Sequence, residues 1–153
     1  MASRNEPLLL DHHLCFAMYR ASRALIRAYG PLLEPLGLTY PQYLALVALW
    51  EEDAVSVGHL GERLSLDSAT LTPLLKRLER QGLVERRRDG EDERVVRISL
   101  TKKGRALEAK CRNIPIAAAC GLGDLGDRAT LARITRLREE LVVIANQLEA
   151  TGT

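Results

Sequence analysis

Apolar residues recur at helical spacing near both ends of the chain. Two neighbouring apolar stripes run through residues 11–29, and one stripe runs through residues 129–148. A wide apolar face is typical of an amphipathic helix that is buried against its neighbours. The pattern therefore predicts a long helix at each end. Gly30 and Pro31 are expected to end the first helix, because proline disfavours the helical conformation of the residue before it.

The middle of the chain predicts shorter helices followed by a β-hairpin. Helix starts are marked by a capping residue or by a proline in the first turn, at Thr39–Pro41, Ser56 and Ser68. Two strand-like runs, residues 83–88 and 95–100, flank an Asp-Gly turn, and a further helix follows them. This order predicts a mostly α fold with a small β-hairpin wing, which is a winged helix-turn-helix with additional helices at both ends.

Composition indicates one globular domain. The 153 residues are 46% hydrophobic and 27% charged, which is the ordinary range for such a domain and leaves no room for a membrane span. At the start of the chain only Leu8, Leu9 and Leu10 precede Asp11, and this run is too short for the apolar core of a signal peptide. We therefore expect a cytoplasmic protein with no membrane partner.

The net charge of +2 is too small to indicate a nucleic-acid partner by itself, so the distribution of the basic residues decides. The helix predicted near Ser68 begins with short polar side chains at Ser68, Thr70 and Thr72 and then carries Lys76 and Arg77. Short polar groups can approach base edges in the major groove, while basic groups bind phosphates. The same residues would also suit a solvent-exposed helix face without any DNA contact.

The predicted hairpin favours DNA binding. Its two strands and their connection carry five arginines, namely Arg86, Arg87, Arg88, Arg94 and Arg97. An arginine near the tip of a wing can enter the minor groove, where the negative potential is enhanced. Acidic residues at positions 89 and 91–93 lie among these arginines. They would either orient the guanidinium groups or neutralise this surface.

The segment from Leu64 to Thr101 resembles the MarR family of bacterial regulators. The resemblance rests on the run LDSATLTPLLKRLE, on the GLV that follows it, on the DER motif of the hairpin and on the LTKKG motif where the hairpin ends and the next helix begins. It implies a homodimer in which two winged domains bind a pseudo-palindromic operator in double-stranded DNA. It further implies that Arg94 contacts the minor groove and that Asp92 supports Arg94 through an ion pair.

The resemblance also implies how the single domain 1–153 is divided. Residues from about 40 to 104 would form the winged helix-turn-helix. Residues from about 11 to 36 and from about 105 to 150 would form the helices that hold the dimer together.

Within that family the chain resembles the organic hydroperoxide resistance regulators, or OhrR. The likeness rests on HHLCF at residues 12–16 and on Tyr19, Tyr29 and Tyr40. It implies that Cys15 is the peroxide sensor and that Tyr29 and Tyr40 donate hydrogen bonds to it. Thiol chemistry agrees, because a thiolate attacks a peroxide and needs donors or positive charge to stabilise it.

The spacing of the implied sensor residues restricts how they can meet. Cys15 and Tyr29 are separated by about 21 Å along one straight helix. If both belong to one site, as the resemblance implies, the first helices of two subunits run antiparallel and Tyr29 of one subunit meets Cys15 of the other. Without the resemblance, Cys15 would more often be a small buried core residue.

The chain contains three cysteines, an odd number that cannot pair completely within one chain. In some members of the resembling subgroup a second cysteine captures the sulfenic acid of the sensor in an intersubunit disulfide. Cys120, beside Gly121, is the expected resolving cysteine, and Cys111, in mid-helix, is less suited. Oxidation would then release a repressor from its operator. Apolar residues expected near the sensor favour an organic hydroperoxide as effector, or form ordinary core: Leu14, Phe16, Met18, Leu44 and Val47.

Other functions compete with this hypothesis. A MarR-like repressor could respond to a small apolar ligand or a metal, with Cys15 structural. His12, His13 and Cys15 are close in sequence, but adjacent residues point about 100° apart on a helix, so we expect no metal site and no cofactor. A thiol peroxidase is disfavoured because no thioredoxin-like βαβ pattern is present, so we expect no enzyme. A protein-interaction module that binds no DNA is the last alternative.

Overall fold

The computed structural model describes residues 9–112, 114, 121, 123 and 126–151. The chain forms two compact units, Met1–Ile114 and Pro115–Thr153. The elements of the first unit are α1 (Leu14–Leu33), α2 (Tyr40–Glu51), β1 (Val55–Ser56), α3 (Val57–Leu64), α4 (Ser68–Arg80), β2 (Val84–Arg88), β3 (Val96–Leu100) and α5 (Lys102–Arg112). The second unit contains α6 (Arg128–Thr151). None of the described helices is long and apolar enough to span a membrane.

Helix α1 continues through the position where the sequence predicted its end. Pro31 lies inside the helix, which ends at Leu33 with the next backbone N–H donating to the carbonyl of Gly30. A proline in the last turn removes only one backbone donor, and the helix can absorb that loss near its end. The short 3-10 helix Glu34–Leu36 follows, and Gly37 ends it in the left-handed region at φ +67°. The prediction that Gly30 and Pro31 end the helix is therefore wrong by about one turn.

Helix α2 is capped at its start and forms the centre of the core. The N–H of Thr39 donates to Oε1 of Gln42 at 2.9 Å as part of a capping box, and Pro41 lies in the first turn. Leu46 and Leu49 are completely buried. The helix start predicted from the proline is therefore confirmed.

The wing is part of a three-stranded antiparallel sheet with the order β1–β3–β2. Val84 of β2 pairs with Leu100 of β3, and this register confirms the predicted hairpin. Strand β1 pairs Val55 with Ile98. The sequence did not predict β1, because two residues are too few to show an alternating pattern.

Helices α3 and α4 form the helix-turn-helix. Ser56 caps α3 by accepting a hydrogen bond from the N–H of His59 at 3.1 Å. In the turn, Ser65 adopts the left-handed conformation at φ +51°. A Cβ at Gly61 would lie only 2.9 Å from the carbonyl oxygen of Leu66, so the turn can pack this closely only against glycine. The predicted mostly α winged helix-turn-helix fold is confirmed.

Helix α5 packs closely against the winged part of its unit. A Cβ at Gly104 would lie 2.0 Å from the carbonyl oxygen of Leu83. Nε1 of Trp50 donates to the carbonyl of Gly104 at 3.0 Å. Arg105 pairs with Asp53 at 2.8 Å. These contacts hold the start of α5 to the base of the wing.

Helix α6 contains no buried residue. Apolar side chains of the predicted stripe are exposed along it, including Leu131 and Leu148. The helix itself confirms the predicted element, and its part in a dimer stays a prediction.

Candidate DNA-binding surface and cysteine site

The first turns of α4 present the polar residues that the sequence assigned to DNA contact. Oδ1 of Asp67 caps the helix by accepting from the N–H of Thr70 at 2.7 Å. Hydrogen bonds from the side chain and the backbone of Thr70 lower the pKa of Asp67. Ser68 and Thr70 are exposed, and Thr72 is half-buried. The opposite face of α4 is buried and holds the helix to the core through Leu71, Leu74, Leu75 and Leu78.

Two basic residues of α4 keep their charge available. Lys76 and Arg77 are exposed, and neither forms an ion pair with a carboxylate in the part of the chain that the structure describes. Arg86 on β2 is half-buried, and its Nε is buried without a hydrogen-bond partner. Lys76 and Arg77 are therefore free to bind phosphates, whereas Arg86 is less accessible.

The acidic residues of the wing order its tip. Asp89 accepts from the N–H of Glu91 at 2.8 Å and pairs with Arg97, and both contacts lower the pKa of Asp89. Oδ1 of Asp92 accepts from the backbone N–H of Arg94 at 2.9 Å. The ion pair implied between Asp92 and the guanidinium of Arg94 is not among the contacts of the described residues. Asp92 instead holds the backbone of Arg94 and leaves its exposed side chain unpaired with acid.

Three tyrosines form a cluster where α1 meets α2. The ring centroid of Tyr29 lies 4.8 Å from that of Tyr40 and 5.8 Å from that of Tyr43. The structure therefore brings together the two tyrosines that the resemblance assigned to one sensor. Sequence reasoning missed Tyr43, although its position three residues after Tyr40 on one helix was a usable signal. Burial, and then the neighbouring Cys111 and Tyr40, raise the pKa of Tyr43.

Cys15 is exposed at the beginning of α1. Within one chain, Cys15 is therefore not a buried core residue. Tyr29 lies on the same helix, about 21 Å further along its axis. One chain therefore does not bring Cys15 to the tyrosine cluster, and their contact across two subunits stays a prediction.

Cys111 differs from Cys15 in its burial. Cys111 is buried, with 4% of its surface exposed, and burial raises the pKa of its thiol. A thiol that resists ionisation is a poor nucleophile. Cys120, the predicted resolving cysteine, lies outside the described residues.

Two expectations about the effector of the sensor concern apolar side chains and metal ligands. The apolar residues expected near the sensor are not core, since Leu14 and Leu44 are exposed and Phe16, Met18 and Val47 are half-buried. Across the described ranges, no group of three or more His, Cys, Asp or Glu residues could hold a metal ion.

Comparison with known proteins identifies relatives of this chain among transcriptional regulators. A family model described as transcriptional regulator SarA/Rot matches residues 27–110. The HTH-type transcriptional regulator TtmR of Methylorubrum extorquens (strain PA1) is 49% identical over 148 residues, which cover 95% of this chain and 76% of that protein. The organic hydroperoxide resistance transcriptional regulator of Bacillus subtilis (strain 168) is 50% identical over 115 residues, which cover 75% of this chain and 78% of that protein.

AbfR of Staphylococcus epidermidis has a similar structure in several states. Reduced AbfR bound to DNA matches with a TM-score of 0.74 and 34% identity, covering 91% of this chain and 94% of that one. Overoxidized AbfR bound to DNA matches with a TM-score of 0.67 and 34% identity, covering 89% and 94%. AbfR with a disulfide formed matches with a TM-score of 0.64 and 37% identity, covering 91% of each chain.

Proposed function

This chain belongs to the MarR family of DNA-binding transcriptional regulators and is similar to the organic hydroperoxide resistance regulators, and we propose that it is a repressor released from DNA when an organic hydroperoxide oxidises Cys15. Its relatives are named transcriptional regulators, and this chain is likewise a regulator and not an enzyme. In this proposal it binds a pseudo-palindromic operator as a homodimer.

In the DNA-bound state, α4 lies in the major groove. Ser68 and Thr70 approach base edges with Thr72 behind them, because they are short polar residues at the start of the helix. Lys76 and Arg77 bind phosphates. The wing supplies Arg94 to the minor groove, held by the contact of Asp92 with its backbone and supported by Arg86 on β2.

The observation that carries the redox part of the proposal is the exposed thiol of Cys15 in a chain that also packs the rings of two tyrosines together. The ring centroids of Tyr29 and Tyr40 lie 4.8 Å apart, so both phenols belong to one cluster that a thiolate of a second subunit could approach. In a dimer with antiparallel α1 helices, Cys15 of one subunit would meet Tyr29 and Tyr40 of the other. Sensor and dimer interface are then the same place.

Oxidation proceeds in two steps in this proposal. The Cys15 thiolate takes one oxygen from the hydroperoxide, which leaves as an alcohol, and the sulfur becomes a sulfenic acid. Cys120 of the second subunit then displaces water from that sulfur to form an intersubunit disulfide. Because AbfR binds DNA when overoxidized and is also known with a disulfide formed, we assign release to the disulfide step.

The test is binding to DNA from the upstream region of the protein's own gene, with and without cumene hydroperoxide, for the native chain and Cys15→Ser. The proposal expects peroxide to abolish binding by the native chain and to leave binding by Cys15→Ser intact. If both proteins bind and neither responds, the regulator remains but its redox mechanism is wrong. If neither binds any DNA, the DNA-binding proposal fails as well.

The resolving cysteine needs its own experiment. After peroxide treatment, non-reducing gels should show a crosslinked dimer for the native chain and for Cys111→Ser, and none for Cys120→Ser. Cys111→Ser is the matched control because Cys111 is buried and its thiol resists ionisation. A crosslink lost only in Cys111→Ser would show that the assignment of Cys120 is wrong.

A ligand-responsive repressor is the second candidate. A groove of about 440 Å³ lies between the segment after α1 and helix α5. Leu36, Leu83 and Leu107 give it an apolar part, and Gln81, Lys103 and Lys110 give it a polar and basic part. Release of Cys15→Ser from DNA by a small apolar compound, without any thiol chemistry, would favour this function over the redox one.

A further inference from the structure

The wing contains a chain of hydrogen bonds that runs from its base to its tip. At the base, Nη1 of Arg97 on β3 donates to the carbonyl of Ala54 at 3.0 Å. Toward the tip, Nε of the same side chain donates to Oδ2 of Asp89. A single side chain therefore joins the turn before β1 to the residue that follows β2.

The base of this chain is a constrained turn. Ala54 adopts the left-handed conformation at φ +59°, which residues with a Cβ rarely adopt. Oδ1 of Asp53 accepts from the N–H of Ala54 and from that of Leu100 on β3, each at 2.8 Å. Oδ2 of Asp53 pairs with Arg105 of α5 at 2.8 Å. The carbonyl that accepts from Arg97 is therefore fixed against both β3 and α5.

Asp89 connects Arg97 to the tip of the wing. Its Oδ1 accepts from the N–H of Glu91 at 2.8 Å and from that of Asp92 at 3.4 Å. Oδ1 of Asp92 accepts in turn from the N–H of Arg94 at 2.9 Å. The backbone at Arg94 is thus connected to the turn before β1 through two carboxylates and one guanidinium.

Arg97 and Arg94 differ in where their charges are used. The guanidinium of Arg97 is paired with Asp89, whose side chain is only 11% exposed. Arg94 is exposed and has no carboxylate partner among the described ion pairs. A paired guanidinium brings little net charge to a phosphate backbone. Arg97 is therefore better suited to positioning the wing than to binding phosphate.

We propose that Arg97 is a specificity-determining residue that acts through Arg94; this inference rests on the proposed function, which places Arg94 in the minor groove. Arg97 holds the tip of the wing at a fixed place relative to the helix-turn-helix, because β1 leads directly into α3. The distance between α4 in the major groove and Arg94 in the minor groove is then set by the protein. An A·T-rich flank, whose minor groove is narrow, is recognised only at that distance.

Two footprints on DNA from the upstream region of the protein's own gene distinguish the two grooves. Hydroxyl radicals cleave deoxyribose from the minor-groove side, whereas dimethyl sulfate methylates N7 of guanine in the major groove. The reduced native chain should protect the flanks from hydroxyl radicals and the centre of each half-site from dimethyl sulfate. At saturating protein, Arg97→Gln and Arg94→Gln should both lose the flank protection and keep the protection from dimethyl sulfate.

Affinity measures whether Arg97 acts through Arg94. Each of Arg94→Gln and Arg97→Gln should weaken binding by about tenfold, as expected for loss of one arginine contact in a groove. Because both changes remove the same contact, the double variant should also be weaker by about tenfold, whereas independent contacts would give roughly 100-fold. Arg87→Gln is the matched control and should keep the flank protection. Arg87 faces Arg97 across the two strands but pairs with Glu85 on its own strand at 3.0 Å.

Asp89→Asn distinguishes the position of the wing from its charge. If only net charge mattered, removal of a carboxylate near DNA would strengthen binding. If Asp89 positions the tip through Arg97, Asp89→Asn should instead weaken binding and lose the flank protection. The two explanations therefore predict opposite signs for one substitution.

The outcomes separate this inference from the proposed function. If Arg94→Gln keeps the flank protection of the native chain, the proposed minor-groove contact is wrong and the inference fails with it. If Arg94→Gln loses that protection and Arg97→Gln keeps it, only the inference fails. Loss of both footprints in Arg97→Gln would mean that Arg97 supports the fold of the unit, which would overturn its role in specificity. Tighter binding by Asp89→Asn would overturn that role as well.

Discussion

Burial distinguishes the two described cysteines of this chain. Cys111 is buried, and desolvation raises its pKa, which keeps it as the neutral thiol near neutral pH. Cys15 is exposed at the start of α1. Because the thiolate is the form that attacks peroxides, the difference favours reaction at Cys15. Selectivity between these two described thiols is thus a property of single residues before any dimer forms.

Close packing at Gly104 gives the first prediction. A Cβ at this position would lie 2.0 Å from the carbonyl oxygen of Leu83, so Gly104→Ala forces α5 away from the sheet. We expect the free energy of unfolding to fall by about 1–3 kcal/mol, the usual cost of overpacking. Urea denaturation measures it.

The matched control for Gly104→Ala is Gly58→Ala in α3. A Cβ at Gly58 would meet only the Ser56 hydroxyl, at 4.0 Å, and alanine favours the helix by up to about 1 kcal/mol over glycine. Gly58→Ala should therefore be neutral or stabilising. Equal losses in both variants would mean that contact with Leu83 is not the cause.

At the scale of elements, α4 combines two requirements. Its buried leucine face fixes it to the core, and its capped first turn presents Ser68 and Thr70 to solvent. Asp67 serves both requirements. Its carboxylate caps the helix, and the same hydrogen bond fixes the backbone from which Ser68 and Thr70 project. Order in this first turn is therefore a condition for the proposed DNA contact.

The cap predicts a pH-dependent contribution to stability. Hydrogen bonds from Thr70 lower the pKa of Asp67 in the folded chain. A lowered pKa stabilises the folded state above the unfolded value of about 3.9, and that contribution is lost as the pH falls through the lower folded value. Asp67→Ala should thus be less stable than the native chain in urea at neutral pH, and the gap should narrow toward low pH.

Asp67→Asn is the control for the charge in this experiment. Asparagine retains a cap acceptor but does not titrate. Its stability relative to the native chain should change with pH, while its stability relative to Asp67→Ala should not. A gap between the native chain and Asp67→Ala that stays constant into acid would contradict the role given to the carboxylate.

The elements that the sequence predicted are those with a local signal. The hairpin follows from two strand-like runs around an Asp-Gly turn, and α2 follows from its proline and cap. Strand β1 had no such signal, because its two residues form a strand only through their pairing with β3. The end of α1 was misplaced because the helix-breaking tendency of Pro31 did not decide it. Backbone hydrogen bonds, such as that from the N–H of Glu34 to the carbonyl of Gly30, extend the helix about one turn further.

The site was predictable to a similar degree. The exposed polar start of α4 follows from periodicity and is observed. Tyr29 and Tyr40 were assigned to one place by resemblance, and the structure packs them together. The contact of Asp92 with the backbone of Arg94 could not be predicted, because the path of the wing tip decides which hydrogen bond a short carboxylate makes.

At the scale of the whole molecule, the proposed sensor requires two chains. Cys15 and the tyrosine cluster are at opposite ends of α1, so a monomer cannot assemble the site. In the proposed dimer, the arrangement that assembles this site would also bring two α4 helices to one operator. Oxidation at the shared interface can then change the spacing of both helices at once, which a pseudo-palindromic operator would detect.

The number of subunits on the operator can be counted from salt dependence. Each phosphate neutralised on B-DNA contributes about −0.9 to the slope of log K against log salt. Lys76 is exposed and has no carboxylate partner among the described ion pairs. If two subunits each place it on a phosphate, Lys76→Gln should make the slope shallower by about 1.8, twice the value for one contact.

Fluorescence anisotropy over a series of salt concentrations measures this slope on the protein's own upstream DNA. Arg112→Gln is the control for loss of a positive charge, because Arg112 is paired with Glu108 at 2.6 Å and should leave the slope unchanged. A change near 0.9 for Lys76→Gln would indicate that only one subunit makes the contact. No change would place Lys76 off the phosphate backbone. The expected doubling follows only from two symmetric winged domains that bind together, which is the arrangement that the sensor at the subunit interface also requires.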